Sequence, residues 1–149
     1  LALFVAVLAV GSAAATPLSF SVGEKEVIYK SSQRKSKGGS SWPDGNIGVV
    51  SLGNGTYDFY AANGTKPSRT TGTLTNPGTS KKSVKIVNVP SKAFNYVSGG
   101  PVFQDPNNGT RFMIYHAEKH GSSAKDYYSV LGLAVSYDPN GRTFTNLGT

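Results

Sequence analysis

Two stretches of the chain carry the same design. Asn54-Gly55-Thr56-Tyr-Asp-Phe-Tyr-Ala61 and Asn108-Gly109-Thr110-Arg-Phe-Met-Ile-Tyr-His-Ala117 each lead from a turn into an aromatic and β-branched run. Asn-Gly favours a tight hairpin, because both residues tolerate positive φ. In Asp105-Pro106-Asn107-Asn108-Gly109 the proline suits φ near −65° and the glycine a positive φ. A chain that spends its residues this way folds into short antiparallel strands. Glycine is abundant, at 18 residues, and only 15% of residues are charged, which also favours strands and turns over long helices.

Each hairpin sits inside a set of four strand-like runs. The first set reads Asn46–Leu52, Thr56–Ala61, Ser68–Leu74 and Ser83–Val87. The second reads Pro101–Gln104, Arg111–Ala117, Tyr127–Tyr137 and Arg142–Leu147, with a loop expected over Glu118–Lys125. Gly55 and Gly109 mark the repeat, 54 residues apart. Four antiparallel strands per roughly 40–50 residues is the size of a propeller blade. In the second set Leu131, Leu133, Val135 and Tyr137 alternate with Gly132, Ala134 and Ser136, giving one bulky face and one small face. A small face lets a neighbouring sheet approach closely, as stacked blades require, and a two-layer sandwich tolerates it too. The expected fold is all-β, a partial propeller of about two four-stranded blades over residues 42–149. Two blades cannot close a ring of four to eight. The chain also begins at Leu1 and stops at Thr149 just after a strand-like run. Both ends therefore read as cut from a longer protein.

Leu1–Val10 is almost purely apolar and Gly11–Ala15 is small. This is the apolar region and cleavage zone of a secretory signal, with Ala13-x-Ala15 placing the cut before Thr16. The alternative is a buried apolar helix, and the run is shorter than the about 20 residues of a membrane span. Residues 1–15 are thus expected to be a signal peptide, 16–41 a linker or flexible segment, and the mature protein secreted and soluble. Glu24–Tyr29 could form an isolated strand, and Ser31–Ser41 reads as a polar, basic loop.

There is no cysteine, so a secreted domain here must hold together by its core and its ladder hydrogen bonds. Structural zinc through thiolates is excluded as well. Asn-Gly-Thr occurs at Asn54, Asn63 and Asn108, which makes three glycosylation sequons or three hairpin turns. The formal charge is +7, with lysines crowding 30–37 and 81–85. That balance favours an acidic polysaccharide or a negative surface. No nucleic-acid motif accompanies the lysines, so nucleic acid is not expected as a partner. No cofactor is expected either.

The second set resembles part of the secreted five-bladed β-propeller glycoside hydrolases, the group of arabinanases, β-xylosidases and invertase-like enzymes. The matching stretches are Gly99-Gly-Pro-Val-Phe-Gln-Asp-Pro106, Phe112-Met-Ile-Tyr-His-Ala117 and Leu131-Gly-Leu-Ala-Val-Ser-Tyr-Asp138, leading to Gly141-Arg-Thr-Phe144. Gly48-Val-Val-Ser-Leu52 and Asn54–Ala61 are similar in style, and the resemblance covers about Trp42 to Thr149. Ser136-Tyr-Asp138-Pro-Asn-Gly141-Arg-Thr143-Phe144 also resembles the Asp-box turn of sialidase-like propellers, with one extra residue before Gly141. In that turn Asp138 would cap its own backbone, which its residue type implies independently.

Glycoside hydrolysis needs two carboxyl groups flanking the scissile bond. Of the eight acidic residues, Asp105 and Asp138 fit turns, while Glu24, Glu26 and Asp126 look solvated. Asp44, Glu118 and Asp58 remain as candidate catalytic residues. Asp44 lies beside Trp42, whose ring suits a sugar-stacking subsite. The resemblance implies an acidic base near the start of an early blade, at Asp44, and an acid glutamate on a later blade. The fragment alone is then expected to be inactive. Asp58 lies between Tyr57 and Phe59, and is either solvent-facing or axial. Glu118 follows Tyr115 and His116 and could line a cleft. Trp42, Tyr60, Tyr115 and His116 are the candidate substrate contacts. His116-Ala-Glu118-Lys-His120 lacks the His-Glu-x-x-His spacing and a helical setting, so no metal is expected. The main alternative to an enzyme is a non-catalytic carbohydrate-binding or cell-surface propeller, stacking sugars on Trp42, Tyr57, Tyr60 and Tyr115.

Overall fold

The computed structural model describes residues 21–25, 44–78, 80–123 and 125–149, with only the backbone of Asp44. The expected signal peptide, most of the linker and Trp42 lie outside the described residues. So does most of the Glu24–Tyr29 run, of which Glu24 and Lys25 are irregular.

The described residues are all-β. Ten strands form two sheets, and one nearly closes into a barrel-like form. The first sheet holds β1 (Asp44–Gly53), β2 (Thr56–Asn63), β3 (Lys66–Gly72) and β4 (Lys82–Ser83), in that order. The second holds β5 (Lys85–Val87), β6 (Tyr96–Ser98), β7 (Val102–Gln104), β8 (Arg111–His120), β9 (Tyr127–Ser136) and β10 (Thr143–Gly148). Its order is β5-β10-β9-β8-β6, with β7 also pairing β8. Within each sheet the long neighbours are antiparallel, joined by turns of the expected chemistry. Gly55, Gly109 and Gly141 all take positive φ, and so does Asn54. At the Asp105 turn the carboxylate accepts from the Asn107 backbone N–H and from the Asn108 side chain.

Three features differ from the sequence expectation. The run Ser83–Val87 is not one strand. Val84 donates its N–H to Pro67 O at 3.1 Å in the first sheet, and Lys85 donates to Arg142 O at 2.8 Å in the second. The chain therefore changes sheets at Val84, whose side chain is buried in the core. Beyond it β5 pairs with β10 in parallel. Second, β8 does not stop at Ala117. Glu118, Lys119 and His120 stay in register opposite Ser129, Tyr128 and Tyr127, so the expected loop starts three residues later. Third, β6 is a short extra strand that pairs Tyr96–Ser98 with His116–Glu118.

Alternation decides which faces meet. On β8, Arg111, Met113, Tyr115 and Ala117 point inward, as do Gly132, Ala134 and Ser136 of β9. The small face of β9 is thus the core face. Tyr115 lies so close over Gly132 that a Cβ there would stand 2.3 Å from the ring. From the first sheet Val50 and Tyr60 join the same cluster, and the Tyr60 ring meets Phe144 edge-on at 5.9 Å. Burying a side chain such as Phe144 or Met113 contributes about 1.5–3 kcal/mol each. Close approach also brings β1 against β7, where Gly48 carries no Cβ to meet Val102 N at 2.5 Å.

A buried polar network locks the sheets together. Asp58 lies on β2 and accepts from Arg69 at 3.2 Å and Thr71 at 2.7 Å, both across on β3. From the second sheet Arg111 reaches Asp58 at 3.1 Å and the Tyr60 hydroxyl at 2.6 Å. That hydroxyl donates in turn to Gly141 O at 2.9 Å. Arg69 also donates to Asn140 O. One carboxylate thus serves two guanidinium groups drawn from different sheets.

Candidate functional site

The concavity that gathers most of the chemistry lies where the start of β1 faces the β6–β7 segment. It has a volume of about 430 Å³. Gly45, Asn46 and Ala62 form one wall, and Tyr96, Ser98 and Gly99–Pro101 the other. Ile114, Tyr115, His116, Glu118 and Leu131 complete the lining from β8 and β9.

Glu118 is its acidic group. Because β8 is a strand, His116, Glu118 and His120 project from one face at alternate positions. His116 Nε2 lies 3.0 Å from Glu118 Oε1, and His120 Nε2 contacts the other oxygen, Oε2. An ionised carboxylate can only accept, so each imidazole then donates its Nε2–H. Tyr96, directly across from Glu118 on β6, places its ring beside His116 at 6.1 Å and His120 at 5.9 Å. Tyr127, across from His120 on β9, stacks on that imidazole at 5.1 Å. Glu118 is held well inside, with 12% of its side chain exposed, whereas His116 is 39% exposed. This is a fixed carboxylate with a wet edge, able to accept from a ligand hydroxyl or to face a developing positive charge.

The candidates from sequence divide as follows. Glu118 and His116 line the cavity. Asp44 opens β1 opposite Ala62, immediately before the lining residues Gly45 and Asn46. Tyr115 also borders the cavity, but its side chain is fully buried and its hydroxyl lies 2.6 Å from Asn146 Oδ1. It therefore has no open ring face for a sugar. Burial raises the pKa of that phenol. Tyr60 and Asp58 lie elsewhere, in the inter-sheet lock. Asp58 is 1% exposed and its carboxylate is taken up by two arginines and Thr71. Burial pushes the Tyr60 phenol above its ordinary value, against the opposing pull of Arg111. Neither lines the cavity with Glu118, and both are engaged in the lock between the sheets. Tyr57 is half-buried and does not line the cavity.

His120 and Tyr96 are site residues that sequence reasoning missed. The signal was the alternate spacing His116–Glu118–His120, which gathers three side chains only if the strand runs through them. With the strand ended at Ala117, those residues read as loop. Among the described residues no group of three His, Asp or Glu is arranged to hold a metal ion. Here both imidazoles direct Nε2 at Glu118 rather than at a shared point.

No protein-family model, curated protein or solved structure matches this chain.

Proposed function

We propose that the chain is part of a secreted, propeller-type protein that handles carbohydrate in the cleft beside Glu118, and that the parent is a glycoside hydrolase. The observation that carries this reading is that Glu118, braced by His116 and His120, lines the same cavity as the residues directly after Asp44. Two consecutive, mainly antiparallel sheets also suit adjoining blades. In this reading Asp44 is the base, as the resemblance implies, and Glu118 is a further carboxylate that this chain brings to the site. The Glu118 carboxylate, within hydrogen-bond reach of two imidazoles, suits a stabiliser of the oxocarbenium-like transition state. The proton donor is then a further carboxylic acid, which the resemblance puts on a later blade.

The test is binding of arabino- and xylo-oligosaccharides to the whole chain and to the Glu118→Gln and Asp44→Asn variants. At least one oligosaccharide binds, and Glu118→Gln weakens it by roughly tenfold, or about 1.4 kcal/mol. Failure of every oligosaccharide to bind, or binding indifferent to Glu118→Gln, contradicts the proposal. A second reading, a non-catalytic carbohydrate-binding module, is favoured by one fact: Glu118 is the single carboxylate among the described side chains that line the cleft. Hydrolysis that is absent from the complete parent protein, with binding retained, selects it.

A further inference from the structure

A second groove lies away from the cleft, along the seam where the chain changes sheets. Two cavities, of about 300 and about 220 Å³, share the lining residues Ser83 and Lys85 and so adjoin at this seam. Lys66 lines one end and Arg142 the other. These cations are far apart in sequence and are gathered by the switch at Val84. Val84 N–H bonds to Pro67 O, next to Lys66, and Lys85 N–H bonds to Arg142 O. The Arg142 side chain donates to Ser83 O at 3.2 Å, which holds it at the groove. Lys66, Lys85 and Arg142 are all exposed.

Among the described residues none of the three forms an ion pair with an acid. Among the described residues the ion pairs join Asp58 to Arg69 and Arg111, and Glu118 to His116 and His120. The one carboxylate lining the groove is Asp138, at the Arg142 end. Its two oxygens already accept backbone N–H groups from Asn140 and Arg142. The floor at the Lys66 end is aliphatic, made by Pro67, Val84, Ile86 and Val97, and no aromatic side chain lines either cavity. Single-stranded nucleic acid is normally held by aromatic stacking platforms together with cations. This groove offers cations and aliphatic surface only.

We propose that the groove binds a linear acidic polysaccharide, with Lys66, Lys85 and Arg142 engaging successive uronate carboxylates and the sugar C–H faces lying on the aliphatic floor. The choice of a saccharide rests on the reading of the cleft given above. The cationic character of the groove stands without it. Each exposed contact is weak and screened by salt, so the affinity comes from several cations acting along one chain.

The experiment compares binding of a linear oligogalacturonate with that of an uncharged oligogalactan of matched length, using the whole chain. The uronate binds and the galactan does not, and binding weakens as salt is added. Lys66→Gln with Lys85→Gln weakens uronate binding by roughly tenfold or more. Lys119→Gln with Lys125→Gln, the same loss of two charges at the far end of β8 and in the loop after it, leaves it unchanged, and thermal melts confirm that each variant folds. Glu118→Gln also leaves uronate binding unchanged, so failure of the cleft reading is told apart from failure here. Equal binding of the galactan, no binding of the uronate, or an equal effect of Lys119→Gln with Lys125→Gln overturns the proposal. Tighter binding of a single-stranded oligothymidylate, lost in the same double variant, overturns it in favour of nucleic acid.

Discussion

At the scale of single residues, Asp58 shows how a buried charge is made tolerable. Its desolvation is offset by two guanidinium groups and a hydroxyl, and removing the carboxylate would strand Arg111 and Arg69 in a largely dry place. Breaking a buried pair from one side costs about 3–5 kcal/mol. Asp58→Ala should lower unfolding stability by that order in urea denaturation, far more than loss of an exposed acid such as Asp126. Gly141 belongs to the same lock. It has φ +57° and a Cβ there would stand 1.8 Å from Arg111 Nη1, so Gly141→Ala should displace the guanidinium and destabilise the chain. Asp138 makes a prediction about pH. Backbone N–H groups, first that of Arg142 and then that of Asn140, hold its pKa below the ordinary 3.8. The unfolded chain therefore takes up this proton first as pH falls. The contribution of Asp138 to stability is complete above that ordinary value and is lost as pH drops through the lower folded one. Asp138→Asn should flatten this part of the acid limb of a stability-versus-pH curve and leave the slope near neutrality unchanged. The capping role of Asp138 was legible in sequence because both its acceptor atoms and its donors lie within one turn. The role of Asp58 was not, because Arg111 comes from the other sheet.

At the scale of elements, the switch at Val84 and the length of β8 govern what the sheets can do. Val84 carries one sheet into the next with its side chain in the shared core. Val84→Ala should cost roughly 1.5–3 kcal/mol of unfolding stability, with the melting curve remaining a single transition. In hydrogen exchange the Val84 and Lys85 amides should be protected together, since one bonds into each sheet. Gly132→Ala should push against the Tyr115 ring, with overpacking of about 1–3 kcal/mol. The hairpins were readable because turn residues and strand alternation are local signals. The split at Val84 was not, since Ser83–Val87 alternates the same way whether it pairs with one sheet or two. The end of β8 was misplaced for a related reason. Glu118-Lys-His120 is polar, and it stays extended through its pairing with Tyr127–Ser129 rather than through strand propensity of its own.

At the scale of the whole molecule, two sheets packed through a mixed apolar and ionic interface leave one cleft near the start of β1 and one cationic seam at the crossover. The all-β character and the division into two consecutive sets of strands were legible in the repeat around Gly55 and Gly109. The site was legible only in part. Glu118 and His116 could be named from composition and order, but the bracing by His120 and Tyr96 depends on register between strands. Nitrogen NMR of the imidazoles should show Nε2 of both His116 and His120 engaged in hydrogen bonds, and Glu118→Gln should disturb at least one of them. The most direct measurement of the central claim is an amide NMR titration of the whole chain with the oligosaccharide that binds it. Shifts confined to Gly45, Asn46, Ser98–Gly100 and His116–Glu118 are the predicted result. Shifts that spare those residues, or that persist unchanged in Glu118→Gln, would contradict it.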